Sequence, residues 1–166
     1  MILGREEILR LIREASLITG WVDLDRQLQP AGFDLTLMEV RRFRGRGRVD
    51  FSNERRALPD TEPLPFDRDG SIELPPGAYQ VVFNEVVSLP LDVAALARPR
   101  SSLLRCGATV ETALWDPGYR GRSRALLIVF NDKGVVLEKN ARIVQLVFIR
   151  VLGASVGYSG AYQGEQ

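Results

Sequence analysis

The chain has 166 residues with no histidine, one cysteine (Cys106) and 22 basic against 21 acidic side chains, a formal net charge of +1. Zinc deaminases, Ser-His-Asp hydrolases and Cys-His nucleophiles need imidazole or paired thiolates, so those classes are excluded, and a disulfide within the chain is impossible. The length predicts one domain, residues 1–166, and the near-even charge offers no global field for nucleic acid or membrane.

Ile8, Leu9, Leu11, Ile12 and Ala15 recur at helical spacing within residues 1–18, with Glu6 and Glu7 near the start, where carboxylates suit the helix dipole. One amphipathic helix is expected there. Its early charges do not read as a signal peptide, and no apolar run approaches the roughly 18–20 residues of a membrane span. A soluble cytoplasmic protein is expected, and the single thiol agrees with a reducing compartment. Beyond Gly20 the texture changes to short apolar runs separated by Pro, Gly and Asp, which predicts an all-β domain. The expected strands are Phe33 to Val40, Tyr79 to Leu89, Val93 to Arg98, Ala108 to Leu114, Ala125 to Asn131, Gly134 to Glu138 and Ile143 to Leu152. Residues 41–70 carry RRFRGRGR and then a mixed-charge stretch, and read as a long loop or exposed hairpin. Residues 153–166 have glycines and tyrosines but no apolar periodicity, so they read as a mobile tail that orders on a ligand or a partner subunit.

Two segments carry chemistry. From Arg98 to Arg105, arginines crowd with Ser101 and Ser102 just after an apolar strand; guanidinium forks and hydroxyls suit phosphate oxygens. From Leu114 to Gly121 a tight turn combines a carboxylate (Asp116), aromatic rings and glycines that let a backbone approach a ligand. Taken singly, each also fits a solvated turn. Together they offer a general base, a stacking surface and a main-chain reader of a base edge, the set a nucleotide hydrolase requires.

With these motifs in view, the chain resembles the trimeric dUTPase and dCTP deaminase superfamily from about Ala31 onward. Ala31-Gly32-Phe33-Asp34-Leu35 is similar to its first motif, Arg100-Ser101-Ser102-Leu103 to the second, and Trp115-Asp116-Pro117-Gly118-Tyr119-Arg120-Gly121 to the third. Ala141-Arg142-Ile143-Val144-Gln145-Leu146 resembles the fourth, and the glycine-rich tail the fifth. The opening helix and Leu74-Pro75-Pro76-Gly77 are more like the deaminase branch. The resemblance implies a distorted β-barrel or jelly-roll subunit in a homotrimer with sites at subunit interfaces. It implies that Asp116 orients and deprotonates the attacking water, that Tyr119 packs on the deoxyribose, and that main chain at Ala113, Leu114 and Trp115 reads the pyrimidine. Arg100, Ser101, Ser102, Gln145 and Arg105 would bind the triphosphate, and Asp34 would help hold Mg²⁺ through water. Tyr162, with Gln163, would close over the base from a neighbouring subunit's tail.

The reaction turns on the strand after Gly121. In the deaminases of this superfamily that strand carries a catalytic glutamate. Counting forward from Gly121 puts Leu126 at its position and counting back from Asn131 puts Ile128 there, so no register yields a carboxylate. Loss of a positioned acid or base costs about 10²–10⁴ in rate, which favours dUTP hydrolysis to dUMP and pyrophosphate over deamination of dCTP or a bifunctional enzyme. Glu111, on the preceding strand, is the nearest substitute and reads better as an outward charge. Two other readings are a nucleic-acid module using Arg41, Arg42, Arg44, Arg46 and Arg48 with Phe43 and Phe51, and a binding-only relative without turnover. Asp50, Glu54, Asp60 and Glu62 oppose the first, and an intact Asp116 opposes the second. Cys106 reads as a small semi-buried thiol.

Overall fold

A computed structural model describes residues 1–153 and 156–165. Residues 154, 155 and 166 of the expected tail lie outside the described residues. Helix α1 (Arg5–Ala15) buries Ile8, Leu11 and Ile12, so the expected apolar stripe forms over a shorter span than residues 1–18. It stops because Ser16 adopts a left-handed conformation (φ 52°), its N–H donating back to the Leu11 carbonyl. Ile18, assigned by periodicity to the helix, instead belongs to strand β1 (Ile18–Thr19). The residues before the helix are also extended: Leu3 N–H donates to the Phe148 carbonyl at 2.9 Å and Arg150 N–H to the Met1 carbonyl at 3.0 Å. Arg10 and Arg150 grip Glu7, and the Arg10 hydrogen bond leads in drawing its carboxyl down to about 2.

A short capped turn, α2 (Leu24–Gln27), leads through β2 (Leu28–Gln29) into β3 (Gly32–Arg44), the longest strand. The others are β4 (Asp60–Leu64), β5 (Ser71–Leu74), β6 (Gly77–Ser88), β7 (Val93–Pro99), β8 (Ala108–Glu111), β9 (Arg120–Val129), β10 (Val135–Glu138) and β11 (Arg142–Arg150). The sheet runs β7-β11-β3-β6-β9-β8, with β1, β2 and β4 attached at its sides and β5 paired separately with β10. This is the expected all-β, distorted barrel. Phe33, Leu37, Phe83, Leu127, Leu146 and Phe148 are fully buried inside it, each worth about 1.5–3 kcal/mol of removed apolar surface.

β3 first pairs with β11, then passes between β4 and β6, and the register shift at Leu37 to Glu39 bends it from one neighbourhood to the other. A second irregularity, between Val82 and Val86 of β6, throws Glu85 inward. The Arg122 guanidinium donates to the freed carbonyls of Phe83 (3.1 Å) and Asn84. That satisfies groups a bulge would otherwise orphan.

Within residues 41–70, Arg41 to Arg44 continue β3 and pair with β4, so the hairpin alternative holds at this end of the segment. Glu62 folds back on Arg44, while Arg41 pairs with Glu39 of its own strand. This pairing removes charge from the proposed nucleic-acid face. β8 ends at Glu111 rather than Leu114, and β9 begins at Arg120 rather than Ala125. The cause of the second difference is that Arg120 to Arg124 alternate by burial while looking uniformly polar. The short helix α3 (Ser101–Arg105), absent from the expected elements, occupies the serine-containing cluster. No helix among the described residues is long and apolar enough to cross a membrane.

Candidate active site

Two groups of side chains stand out. The first is a guanidinium corner where β3, β11 and the start of α3 meet. Asp34 is 1% exposed, and its Oδ2 receives Arg100 Nε at 3.2 Å and Arg142 Nη1 at 3.3 Å. Gln145 lies opposite Asp34 in the β3–β11 register, with Arg98 on its other side. Ser101, Ser102 and Arg105 are exposed on α3. Burial raises the Asp34 carboxyl above its ordinary range, and the two arginines oppose that shift.

Asp34 was expected to help hold magnesium through water. Instead it anchors two arginines, leaving a buried Oδ1 with no partner, and the described residues hold no cluster of three metal-ligating side chains. One carboxylate between two guanidinium groups does not fit a resident divalent cation, which needs several oxygen donors and water. The corner is built to present positive charge.

Gly32 brings the strands together there. A Cβ on it would stand 2.5 Å from the Leu146 carbonyl and 2.9 Å from Gln145 Nε2. Gly32→Ala is therefore expected to destabilise the protein by about 1–3 kcal/mol through overpacking and to displace Gln145. A melting temperature equal to the parent's would contradict this.

The second group is a cavity of about 580 Å³, the size of a small-molecule site. Ala113, Leu114, Trp115, Asp116 and Tyr119 line it from the turn before β9, Phe43, Leu58, Pro59 and Thr61 from the β3–β4 hairpin, and Gln80 from β6. Four of these were expected to form a base pocket around Asp116, and they do converge. Trp115 is 5% exposed and its Nε1 donates to Ser123 Oγ at 2.6 Å. The Tyr119 hydroxyl lies 3.3 Å from the same oxygen, and burial pushes its pKa up. Ser123 thus fixes both rings. Asp116 is exposed to the cavity side, its carbonyl accepting the Tyr119 N–H at 3.1 Å. Arg100, Ser101, Ser102, Arg105 and Gln145 do not line this cavity.

The tail is placed differently from expectation. Tyr162 lines the cavity of its own chain, as do Tyr158 and Glu165. The Tyr158 ring meets Tyr119 edge-on, centroids 5.5 Å apart. Gln163 spends both ends of its amide on backbone, Nε2 donating to Gly118 O at 3.0 Å and Oε1 accepting from Arg120 N at 3.0 Å. It braces the tail where a substrate contact was expected.

On β9, Gly121, Ser123, Ala125, Leu127 and Val129 point inward, while Leu126 and Ile128 are half-buried on the other face. Leu126 lies between Gln80 and Glu111 in the two registers. Glu111 is exposed and accepts from Thr109 Oγ1 at 3.1 Å. It does not line the cavity, which agrees with its reading as an outward charge. Cys106 is exposed rather than semi-buried.

Residues missed from the sequence are Ser123, Arg124, Tyr158, Arg142, Gln27 and Glu85. The inward alternation of β9 was the available signal for Ser123. Glu85 gave none, because its burial depends on a bulge.

The barrel, the aromatic cavity on the turn before β9 and the separate guanidinium corner define a protein of the dUTPase-like barrel class. Residues 2–151 match the family model described as dCTP deaminase-like, and the chain belongs to that family. It is 54% identical over 164 residues to a protein of Archaeoglobus fulgidus named "Probable deoxyuridine 5'-triphosphate nucleotidohydrolase", covering 99% of this chain and 96% of that one. The deoxyuridine 5'-triphosphate nucleotidohydrolase of Methanocaldococcus jannaschii is 41% identical over 141 residues, 84% of this chain and 89% of the relative. The solved 2'-deoxycytidine 5'-triphosphate deaminase of Agrobacterium tumefaciens shares the fold, with a TM-score of 0.64 at 24% identity. That match covers 89% of this chain and 47% of the deaminase, so the chain spans about half that protein's length.

Proposed function

We propose that the chain is a dUTP diphosphatase that hydrolyses dUTP to dUMP and pyrophosphate. The observation that carries this reading is a cavity in which Asp116 offers a general-base carboxylate, the other lining carboxylate, Glu165, being held by Arg124, beside a β9 strand that presents no acid. The names of the relatives at 41–54% identity point the same way.

Asp116 orients and deprotonates a water for in-line attack, while Tyr119, locked by Ser123, packs on the deoxyribose. The main chain at Ala113 to Trp115 faces the pyrimidine edge, and Tyr162 bounds the base from above. Hydrolysis of a triphosphate rests on positioning and on neutralising dense charge, a role for Arg100, Ser101, Ser102, Arg105 and Gln145. Because that set does not line the cavity of its own chain, it is best assigned to the site of a neighbouring copy, which supports a homotrimer with interfacial sites. The substrate is the magnesium complex of dUTP, the cation arriving on the phosphates. Deoxynucleotide metabolism in the cytoplasm is the corresponding setting.

The test is to incubate the protein with dUTP, dCTP and dTTP in Mg²⁺ and score pyrophosphate and ammonia separately. Pyrophosphate from dUTP without ammonia from dCTP is expected. Ammonia release, or no pyrophosphate, would reject the assignment.

A further inference from the structure

Three groups of contacts tie the tail to its own chain. Tyr158 N–H donates to the Pro117 carbonyl at 2.7 Å, Gly164 N–H to the Arg120 carbonyl at 2.7 Å, and Arg122 N–H to the Glu165 carbonyl at 2.7 Å. β8 pairs only with Leu126 to Val129, so the tail binds β9 at Arg120 and Arg122, beyond the stretch that β8 covers. The third group is electrostatic: Arg124 Nε meets Glu165 Oε1 at 2.7 Å while Arg124 Nη1 donates to Gln80 Oε1 at 3.2 Å. The guanidinium therefore spans from the cavity wall to the tail. Arg56, near the end of the β3–β4 hairpin, stands over the Tyr162 ring at 5.7 Å. With all these contacts made, the cavity beneath keeps its volume of about 580 Å³. The tail roofs the site without filling it.

We propose that Arg124 is a positioning residue that fastens the tail, through Glu165, as a roof over the cavity of the same chain. A roof excludes water and holds the base end of a substrate; that part rests on the hydrolase reading above, whereas the docking itself does not. The pair is partly shielded, its side chains 34% and 26% exposed, and reversing one member places two like charges in contact.

Hydrogen exchange of residues 158–165, read by mass spectrometry on the full chain without nucleotide, tests the latch. Exchange about tenfold faster is expected in Arg124→Glu and in Glu165→Arg, with the parental rate restored when both changes are on one chain. Co-expressing the two single variants and recovering mixed assemblies is expected to leave exchange fast, since each chain then carries a like-charged pair. Parental exchange in the single variants, or recovery in the mixed assemblies, overturns the proposal. In the dUTP assay the single variants are expected to raise KM about fivefold at near-parental kcat, with rescue by the charge swap; a parental KM in both would also overturn it. If the parent protein releases no pyrophosphate at all, the hydrolase reading falls and the exchange data still decide the latch.

Discussion

Asp116→Asn is expected to lower dUTP turnover by about 10²–10⁴, the usual cost of removing a positioned general base. The substitution preserves shape, and the backbone bond from Tyr119 N–H to the residue-116 carbonyl is untouched. Folding and the aromatic wall of Trp115 and Tyr119 should therefore persist, so thermal unfolding and the affinity for a non-hydrolysable dUTP analogue should stay near parental values. The loss belongs in kcat. A variant turning over within tenfold of the parent would remove Asp116 from its assigned role.

The second large effect concerns stability. Glu85 is fully buried, and its carboxylate accepts from Gln27 Nε2 at 2.6 Å, Thr36 Oγ1 at 2.6 Å and Thr36 N–H at 2.9 Å. Gln27 Nε2 also donates to the Asp34 carbonyl at 2.8 Å, so this cluster backs the guanidinium corner. Glu85→Ala leaves three donors without their acceptor, each costing about 1–3 kcal/mol, so a loss of at least about 3 kcal/mol is expected in denaturant unfolding. Typical domains have only about 5–15 kcal/mol in total. A loss below about 1 kcal/mol would contradict the expectation.

The same residue sets a pH dependence. Burial raises the Glu85 carboxyl above its ordinary value, with the Thr36 and Gln27 donors opposing it. A raised folded-state pKa gives a stabilising contribution that is complete below the unfolded value near 4.5 and is lost as pH rises through the folded value. The stability difference between the parent and Glu85→Gln should therefore favour the parent more at pH 5 than at pH 8. Paired unfolding curves at the two pH values measure it.

The barrel was legible because its strands alternate and its turns carry Pro, Gly and Asp. The third motif was legible because Trp115, Asp116 and Tyr119 are adjacent in sequence and stay adjacent on one turn. What escaped depends on long-range geometry. Asp34 looks like a ligand in its motif, and only the approach of Arg100 from the start of α3 and Arg142 from β11 turns it into their anchor. The tail looked unanchored since it is held by backbone bonds, the Gln163 amide, one ion pair and two isolated tyrosine rings, none of which leaves an apolar periodicity. Ser123 was hidden among arginines, although its neighbours two residues away on either side are inward as well.

The amino-terminal residues pair with β11 at Phe148 to Arg150, directly before the tail departs. Residues 1–3 and 148–151 thus lie side by side. A short linker between those points would permit circular permutation, with new ends cut into the exposed stretch around Asn53, and would yield a barrel free of its tail. It follows too that a fusion at the amino terminus sits beside the root of the tail, whereas one placed near Asn53 lies close to its far end, where Arg56 stands over Tyr162.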